Sequence, residues 1–434
     1  MLKDLKKKIL DRKAKIGVIG MGYVGLSLAI GFAKKGFKVY GIDIDEDRIK
    51  RLKKNQSYIV DIPASDIMQT KKDKTFEATM DFSCIRSLDA VIVCVPTPLS
   101  KAKEPDVSYI ASAVKSIAKH MKRGQLIVLE STTYPGTTEE IMLPALEAAG
   151  WKEGKDFYLA FSPERIDPGN KKYKVENTPK IVGGISKRST EIAVTLYSQV
   201  IDPVIPASSS KVAEMVKLLE NTFRIVNVSL VNEIMIMCDR LDIDVWEVVE
   251  LAKTKPYGFM PFYPGPGIGG HCIPVDPLYL SWKARMAGFE ARFIDLASYI
   301  NTEMPHHVVN TVADALNERG KPLKRAKILV MGVTYKKDVK DLRESPALEI
   351  MDLLLDKGAF VSYYDLFIPF LKIYNFDLKG IPFKADFIKD SDCVLILVDH
   401  TGVDYGFVAK HAKLAVDTRN VLKDIPDRRN IVKL

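Results

Sequence analysis

Short apolar runs alternate with longer amphipathic segments through the first half of the chain. Such runs predict buried strands, and segments with apolar residues at helical spacing predict helices. The predicted strands are residues 15–19, 38–42, 91–95, 126–129, 158–161 and 181–183, and the helices between them include 26–35, 107–121 and 137–149. This alternation predicts a parallel, doubly wound α/β sheet over residues 1–207.

A single long helix is predicted next, from Ser208 to about Leu241. Its apolar residues occupy nearly every side of the helix and are Phe223, Ile225, Val226, Val228, Leu230, Val231, Ile234, Met235 and Ile236. A helix of this kind is buried, either in a core or between subunits. We therefore expect a homodimer or a higher homo-oligomer formed through this central helix.

A second strand–helix series begins after about Arg319. Its strands are predicted at residues 327–333, 360–364, 394–398 and 414–416, with a helix at 346–355. The predicted fold class is α/β, with two Rossmann-like doubly wound domains joined by a long central helix and a helical middle domain. The predicted domains are residues 1–207, 208–320 and 321–434.

Composition narrows the class of protein. The chain has 434 residues, 47% of them hydrophobic, and a formal net charge of +9 that is spread along the sequence. Dispersed basic residues suit attraction to a diphosphate ligand and lack the clustering typical of nucleic-acid binding.

The five cysteines are irregularly spaced, which is typical of a reducing compartment. Since the sequence shows no signal segment and no apolar run of membrane-spanning length, we expect a cytoplasmic protein without a membrane segment.

The first predicted strand leads directly into Gly20-Met21-Gly22-Tyr23-Val24-Gly25 and then into a helix. In a dinucleotide-binding unit the first glycine makes the tight turn, the second admits the pyrophosphate and the third lets helix and strand pack. The next strand ends in Asp43, at the spacing expected for an acid that binds the adenosine ribose. A carboxylate there favours NAD over NADP, because it repels a 2′-phosphate. The alternative is a glycine turn with a structural role only. It is the weaker interpretation, because the strand, helix and acidic residue follow one another in the order that a dinucleotide-binding unit has.

A glycine-rich segment at residues 265–277 (GPGIGGHCIPVDP) holds Cys272, with Asp276 four residues later. A cysteine held as thiolate, near positive charge or a helix N-terminus, attacks carbon. The alternative is a turn-rich loop with an incidental free cysteine.

Two further features are candidates for chemistry. The central helix carries Lys217 and Asn221 one helical turn apart and thus on one face; the alternative is a solvated polar stripe beside Glu220. Turns follow three predicted strands, at residues 96–98, 131–136 and 162–165. Ligands of open α/β sheets bind beyond the carboxyl ends of the strands, so these turns are candidate ligand-binding loops.

These pieces, in this order, resemble the UDP-glucose/GDP-mannose dehydrogenase family over nearly the whole chain. The resemblance rests on the glycine turn, Ser131-Thr132, SPER at 162–165, the Lys217/Asn221 pair, the Cys272 segment and YKKD…RESP at 335–346. It implies an NAD-dependent enzyme that oxidises the 6-hydroxyl of a nucleotide sugar twice, to the carboxylate. Residues 162–170 (SPERIDPGN) and 258–272 look most like the branch that oxidises UDP-N-acetylglucosamine.

The resemblance also implies roles for individual residues, and it assigns no metal ligand. The implied catalytic residues are Cys272, Lys217, Asn221, Asp276, Glu164 and Thr132. Those implied for NAD are Gly20, Gly22, Tyr23, Val24, Gly25, Asp43, Arg48, Thr97, Ser131, Thr132 and Arg343. Those implied for the UDP-sugar are Glu164, Arg165, Lys217, Asn221, Phe262, Tyr263, Gly267, Gly269, Lys336 and Arg419.

The chain departs from the UDP-glucose members of this family in two places. Where they carry a second glutamate, this chain has Pro168, and where they carry an arginine before the cysteine, it reads Lys255-Pro256-Tyr257-Gly258. UDP-glucose, UDP-N-acetylmannosamine and UDP-N-acetylgalactosamine therefore stay open beside UDP-N-acetylglucosamine. Two other functions compete: a single-step dehydrogenase that uses Lys217 and Asn221 but not Cys272, and a non-catalytic NAD sensor.

Overall fold

The computed structural model describes residues 2–59, 61–100, 104–167, 172–173 and 175–434. The chain forms two compact units. The first unit comprises Met1–Glu220 and Leu278–Phe289, and the second comprises Asn221–Pro277 and Glu290–Leu434.

The first unit is built on one large sheet, with eight strands among the described residues. They are β1 (Lys15–Ile19), β2 (Lys38–Ile42), β3 (Phe76–Thr79), β4 (Ala90–Val93), β5 (Gln125–Leu129), β6 (Phe157–Phe161), β7 (Lys180–Gly184) and β8 (Val204–Pro206). Their order is β3-β2-β1-β4-β5-β6-β7-β8, which begins with the Rossmann order 3-2-1-4-5-6. Every residue of β4, β5 and β6 is buried, as expected of strands covered on both faces.

Two strands, β7 and β8, correct the prediction of an all-parallel sheet, because β8 pairs in parallel with β7 and so runs in the same direction. β7 runs antiparallel to β6, with Phe161 opposite Gly183, whereas the pairs from β3 to β6 are parallel. A buried apolar run of this length carries no mark of its direction, so the sequence pattern alone could not show the reversal.

The helices of the first unit cover this sheet. They are α1 (Leu2–Leu10), α2 (Tyr23–Lys34), α3 (Glu46–Lys53), α4 (Ala64–Lys72), α5 (Ser108–His120), α6 (Leu143–Ala148) and α7 (Lys187–Tyr197). α2 begins at Tyr23, earlier than the predicted Leu26, because the third glycine of the turn lies inside the helix. The helix predicted at 137–149 is divided into a π-helical turn, Thr138–Met142, and α6.

Long helices follow, and the first of them is the predicted central helix. They are α8 (Ser210–Arg240), α9 (Val245–Ala252), α10 (Asp276–Met286) and α11 (Arg292–Asn317). Of the two expected ways of burying α8, the core of the single chain covers only part of the helix: Ile225, Val231 and Met235 are buried, but Leu230 is 52% exposed and Phe223 is 48% exposed. Burial between subunits stays a prediction. In the part of the chain that the structure describes, no helix is long and apolar enough to cross a bilayer.

The second unit contains the second sheet. Its strands are β9 (Lys327–Met331), β10 (Phe360–Tyr364), β13 (Cys393–Ile396), β14 (Ala415–Asp417) and β15 (Ile431–Lys433), and a separate hairpin is formed by β11 (Phe370–Ile373) and β12 (Phe376–Lys379). The helices are α12 (Pro346–Asp356), α13 (Ala385–Asp390) and α14 (Tyr405–His411). The order β10-β9-β13-β14-β15 is parallel throughout and corresponds to the doubly wound order 2-1-3-4-5. The predicted second Rossmann-like domain is thus confirmed.

Candidate active site

The glycine turn between β1 and α2 is shaped by two very close approaches. Gly20 has φ +93°, and a Cβ on it would lie 2.4 Å from the carbonyl oxygen of Cys94. A Cβ on Gly25 would lie 1.8 Å from the carbonyl oxygen of Gly20. A Cβ on Gly22, by contrast, would meet no atom within 4 Å, so the space before the helix N-terminus at Tyr23 and Val24 is open. Such a space, faced by helix N–H groups, fits a pyrophosphate.

Asp43 is buried directly behind this turn. Its Oδ2 accepts a hydrogen bond from the Met21 N–H at 2.6 Å and lies 3.3 Å from Nη1 of Arg48, while its Oδ1 accepts from the Asp45 N–H at 2.9 Å. The structure therefore brings Asp43 and Arg48 together beside the glycine turn. The sequence analysis assigned the carboxylate to the ribose alone and missed that it also fixes the backbone of the turn.

The turns that follow β4 and β5 are joined by hydroxyl hydrogen bonds. Thr97 Oγ1 donates to the Thr132 carbonyl at 2.7 Å, and Ser131 Oγ donates to the Val95 carbonyl at 2.7 Å. Tyr134 in the same turn packs on the indole of Trp282, with ring centroids 5.0 Å apart. The three residues assigned to NAD on these turns thus lie together at the carboxyl edge of the first sheet.

Glu164 lies beyond the end of β6 and has partners on both carboxylate oxygens. Its Oε1 accepts from the Arg165 and Ile166 N–H groups, each at 2.7 Å. Its Oε2 lies 3.1 Å from the ammonium of Lys180, which also bonds the buried Glu130. Lys180 and Glu130 were not among the predicted site residues. Their signal was a charged residue at the start of one buried strand, β7, and another directly after β5, from which β7 is separated by β6.

Arg165 contacts protein groups. Its Nη2 lies 2.6 Å from Oε1 of Glu220 on α8, and its Nη1 donates to the Pro179 carbonyl at 2.7 Å. These contacts join the turn to the helix that carries the half-buried Lys217. The substrate role assigned to Arg165 stays a prediction, and Pro168 lies outside the described residues.

In the second unit, Cys272, Asp276 and Asn221 lie together. The Cys272 carbonyl accepts from the Asp276 N–H at 2.8 Å, in the turn that begins α10. Nδ2 of Asn221 donates to Oδ2 of Asp276 at 2.5 Å, and both side chains are buried. Cys272 itself is half-buried. The backbone of Cys272 and the Asn221–Asp276 pair thus meet at the start of α10, which brings a cysteine, a carboxylate and an amide donor into one region of the second unit.

Arg343 carries the positive charge near this cysteine. Its guanidinium makes a two-pronged pair with Asp341, whose hydrogen bonds are the main reason that the pKa of Arg343 is raised, with smaller contributions from Tyr335 and Cys272. The carbonyl of Arg343 also accepts from the Gly270 N–H at 3.2 Å. Arg343, which the resemblance assigned to NAD, therefore lies in the unit that holds Cys272.

The glycines before Cys272 allow the loop to pack closely against other parts of the second unit. A Cβ on Gly269 would lie 2.4 Å from the Glu344 carbonyl oxygen, and one on Gly267 would touch the ring of Pro346 at 3.4 Å. A Cβ on Gly265 would lie 2.7 Å from Nη1 of Arg419. The loop is thus fitted onto the edge of the second sheet.

Arg419 and Lys336 stand at that edge, beyond β14 and β9. Arg419 Nε donates to the Leu397 carbonyl at 2.8 Å, and burial lowers the pKa of this guanidinium. The Lys336 carbonyl accepts from Thr334 Oγ1 at 3.0 Å. Ligands of doubly wound sheets bind where the strand order reverses, which here is between β9 and β13.

The two aromatic residues assigned to the sugar have different surroundings. Phe262 packs edge-on against Phe223, with centroids 5.8 Å apart. Tyr263 stacks on Trp246 of α9 at 6.0 Å, and its hydroxyl donates to Glu250 at 2.7 Å. Tyr263 is therefore joined to α9, and its substrate role stays a prediction.

A Rossmann sheet with a glycine turn and a ribose acid, followed by long helices and a second doubly wound sheet, defines a class of NAD-dependent dehydrogenases. Residues 14–201, 211–303 and 329–424 match, in turn, the NAD binding domain, the central domain and the UDP binding domain of the UDP-glucose/GDP-mannose dehydrogenase family. The chain belongs to this family and is an NAD-dependent nucleotide-sugar dehydrogenase.

Relatives with different named substrates match the chain. A UDP-N-acetyl-D-mannosamine dehydrogenase of Methanococcus maripaludis is 35% identical over 94% of this chain and 93% of its own. A UDP-N-acetyl-D-glucosamine 6-dehydrogenase of Pseudomonas aeruginosa is 37% identical over 81% of this chain and 82% of its own. The solved UDP-D-ManNAc dehydrogenase of Pyrococcus horikoshii has 32% identity and a TM-score of 0.88, and covers 96% of this chain and 98% of its own.

Proposed function

We propose that this enzyme oxidises the 6-hydroxyl of UDP-N-acetyl-D-glucosamine by four electrons, to the uronate, through a thioester on Cys272. The observation that carries the mechanism is that Cys272 lies in the turn that begins α10, one turn before the buried carboxylate of Asp276, which accepts a hydrogen bond from the amide of Asn221. The choice of this sugar is supported by residues 162–170 and 258–272, which resemble the branch of the family that oxidises UDP-N-acetylglucosamine.

Lys217 and Asn221 serve the first oxidation in this proposal. Both donate hydrogen bonds to the oxygen on carbon 6, and Lys217 takes up the hydroxyl proton as the aldehyde forms. Removal of one such donor elsewhere costs about 3–4 kcal/mol of transition-state stabilisation. NAD, when bound, would supply the oxidising chemistry, with one molecule for the first hydride lost from carbon 6 and a fresh molecule for the second.

Cys272 serves the second oxidation. Its sulfur adds to the aldehyde carbon, the carbonyl oxygen takes a proton, and a thiohemiacetal results. Loss of that proton and of the hydride on carbon 6 leaves the thioester. Covalent capture holds the reactive aldehyde in the site and divides a difficult oxidation into easier steps.

Hydrolysis then releases the product. Glu164 removes a proton from a water molecule that Thr132 and Asp276 orient, and the resulting hydroxide attacks the thioester carbon. The carbon–sulfur bond breaks, Cys272 recovers its proton and the uronate leaves. Glu164 suits this role because its carboxylate is held on both oxygens.

The ligands are held at the two sheet edges. The open space at Gly22 fits the dinucleotide, together with Asp43, Arg48 and the two joined turns that carry Thr97 and Thr132. Lys336 and Arg419 bind the substrate diphosphate, for which cationic donors are suited. The loop at 262–267 closes over the sugar. The division into domains at residues 207 and 320 is part of the same proposal.

UDP-N-acetyl-D-mannosamine is the second candidate substrate. It is favoured by the relative from Methanococcus maripaludis and the solved structure from Pyrococcus horikoshii, both of which are named for that sugar. Both candidates carry an N-acetyl group, whose methyl suits the apolar loop residues Phe259, Met260 and Phe262.

A panel of UDP-sugars tests the proposal. Purified enzyme, saturated with NAD, is given UDP-N-acetylglucosamine, UDP-N-acetylmannosamine, UDP-N-acetylgalactosamine and UDP-glucose, and NADH is counted per sugar consumed. We expect two NADH per sugar and a kcat/KM for UDP-N-acetylglucosamine about tenfold to a few hundredfold above that for UDP-glucose, since one methyl contributes only about 1–3 kcal/mol. One NADH per sugar would indicate the single-step dehydrogenase, and no turnover would indicate the sensor. A preference for UDP-N-acetylmannosamine would select the second candidate.

A further inference from the structure

A buried group of charges lies behind Glu164 in the first unit. The ammonium of Lys180 is 2.7 Å from Oε2 of Glu130 and 3.1 Å from Oε2 of Glu164. The Lys180 side chain is 4% exposed and that of Glu130 is fully buried. Tyr197 donates its hydroxyl to Oε1 of Glu130 at 2.5 Å, and its ring lies 5.4 Å from the Lys180 ammonium. Lys180 therefore joins a fully enclosed carboxylate to the one at the candidate site.

The reversed strand explains how Lys180 reaches this place. Glu130 and Glu164 lie beyond the carboxyl ends of the parallel strands β5 and β6. Lys180 is the first residue of β7, and because β7 runs antiparallel to β6, its beginning lies at the same edge. Ser162 Oγ donates to the Ile181 carbonyl at 2.9 Å and holds the two chain segments together there. In an all-parallel sheet, the first residue of a strand would lie at the opposite edge.

The cluster holds Lys180 charged. Burial alone lowers the pKa of Lys180, but the adjoining Glu130 and Glu164 raise it by more, so the ammonium persists. The titratable groups that face the cluster are Glu130, Glu164, Tyr197 and Cys94. A buried ion pair is a poor source of stability, because apolar residues of similar volume often stabilise a protein equally well. Stability alone therefore does not account for a charged lysine at this position.

We propose that Lys180, held in place by Glu130, is a positioning residue that keeps the Glu164 carboxylate in one orientation for thioester hydrolysis. The backbone N–H groups of Arg165 and Ile166 fix one oxygen of Glu164, and Lys180 fixes the other. A general base must lie within hydrogen-bond reach of the water whose proton it removes, so a carboxylate fixed in one orientation suits this step. This role rests on the proposed function, in which Glu164 is the base.

The test separates the steps of the reaction. Rapid-mixing measurements follow NADH formation, and intact-protein mass spectrometry follows the sugar adduct on Cys272. In Lys180→Met we expect NADH to form in a burst and hydrolysis to be slowed about tenfold or more, so that the adduct accumulates. The affinity for NAD should stay within about twofold of the wild-type value, because loss of the general base affects only the proton-transfer step. Lys180→Arg, which keeps a cation at this position, should restore hydrolysis in part.

Asp89→Asn is the matched control. Asp89 is a buried carboxylate that pairs with two lysines, Lys8 and Lys122, but it precedes β4 and so lies at the opposite edge of the same sheet. It should change stability without accumulation of the adduct. If Lys180→Met leaves an unpaired buried charge that prevents folding, the double variant Lys180→Met/Glu130→Gln removes that charge and is used in its place.

The outcomes distinguish the two proposals. Glu164→Gln should accumulate the adduct. If it does and the folded Lys180 variants hydrolyse the thioester normally, the positioning role is wrong. If every step slows equally, Lys180 is only structural and the inference is also overturned. If neither Glu164→Gln nor any other variant yields an adduct on Cys272, the thioester mechanism itself fails.

Discussion

Two half-buried cysteines, Cys272 and Cys84, differ in what surrounds their sulfurs. Cys272 is near the guanidinium of Arg343, whereas burial, with smaller contributions from Asp81 and Glu77, raises the pKa of Cys84 to about 11. A thiol with a raised pKa is a poor nucleophile. The surroundings of the two sulfurs thus favour Cys272 as the reactive one.

Cys272→Ala should abolish uronate formation and leave NAD binding intact, because the thiolate is needed only for the covalent half of the reaction. Cys84→Ala, the matched loss of a thiol, should keep two NADH per sugar. NADH stoichiometry, product mass and an NAD titration measure these effects. Two NADH per sugar at an unchanged rate in Cys272→Ala would rule out the thioester.

Asp43→Asn should weaken NAD binding about tenfold to a hundredfold, because a hydrogen bond to a charged group contributes about 1.5–3 kcal/mol. It should also relax discrimination against NADP, since the charge that repels a 2′-phosphate is lost. Asp45→Asn removes a charge two residues away and keeps the N-cap of α3, so it should change neither property. Titration with both dinucleotides is the measurement, and an unchanged preference in Asp43→Asn would place the ribose elsewhere.

At the scale of elements, the β1–α2 turn gives a paired test. Gly25→Ala should destabilise the protein by at least about 1–3 kcal/mol, because its Cβ would overlap the Gly20 carbonyl oxygen. Gly22→Ala should leave stability nearly unchanged and weaken NAD binding, because its Cβ enters the open space proposed for the pyrophosphate. Thermal unfolding and NAD titration separate the two effects. Equal loss of stability in both variants would contradict this assignment of the glycines.

The sequence could predict those elements whose evidence lies in residues close together in the chain. The glycine turn and Asp43 depend on residues close in the chain, and the structure places them together as expected. The direction of β7 depends on how it pairs with another strand of the sheet, which hydrophobic periodicity does not reveal. Its reversal, and with it the contact of Lys180 with Glu164, therefore could not be predicted from the sequence pattern. The Arg165–Glu220 pair was missed for the same reason, since its members are distant in sequence. The hairpin of β11 and β12 has short strands with weak alternation, and it was also missed.

At the scale of the whole molecule, α8 bears an apolar stripe at every seventh residue. Phe223, Leu230 and Met237 are each about half exposed in the single chain. A helix returns to nearly the same face after seven residues, so these side chains form one line. Exposed apolar area of this kind is expected to be covered by a second copy of the chain.

Leu230→Arg should therefore shift the protein from oligomer to monomer, because it places a charge in the stripe. Asp239→Arg, at an exposed residue on the opposite side of the same helix from Leu230, is the control and should leave the assembly unchanged. Light scattering coupled to gel filtration measures the mass over a range of concentrations. A wild-type protein that is monomeric at micromolar concentration would refute the proposed oligomer.

The positions of the tryptophans give each unit its own fluorescent reporter. Of the three in the chain, Trp151 and Trp282 belong to the first unit and Trp246 to the second. Trp246 is stacked on Tyr263, and Trp282 lies against Tyr134. A chain with phenylalanine at 151 and 282 would emit from Trp246 alone, and one with phenylalanine at 151 and 246 from Trp282 alone. Emission spectra of the two, recorded through a denaturant titration, would show whether the units unfold in one transition or in two.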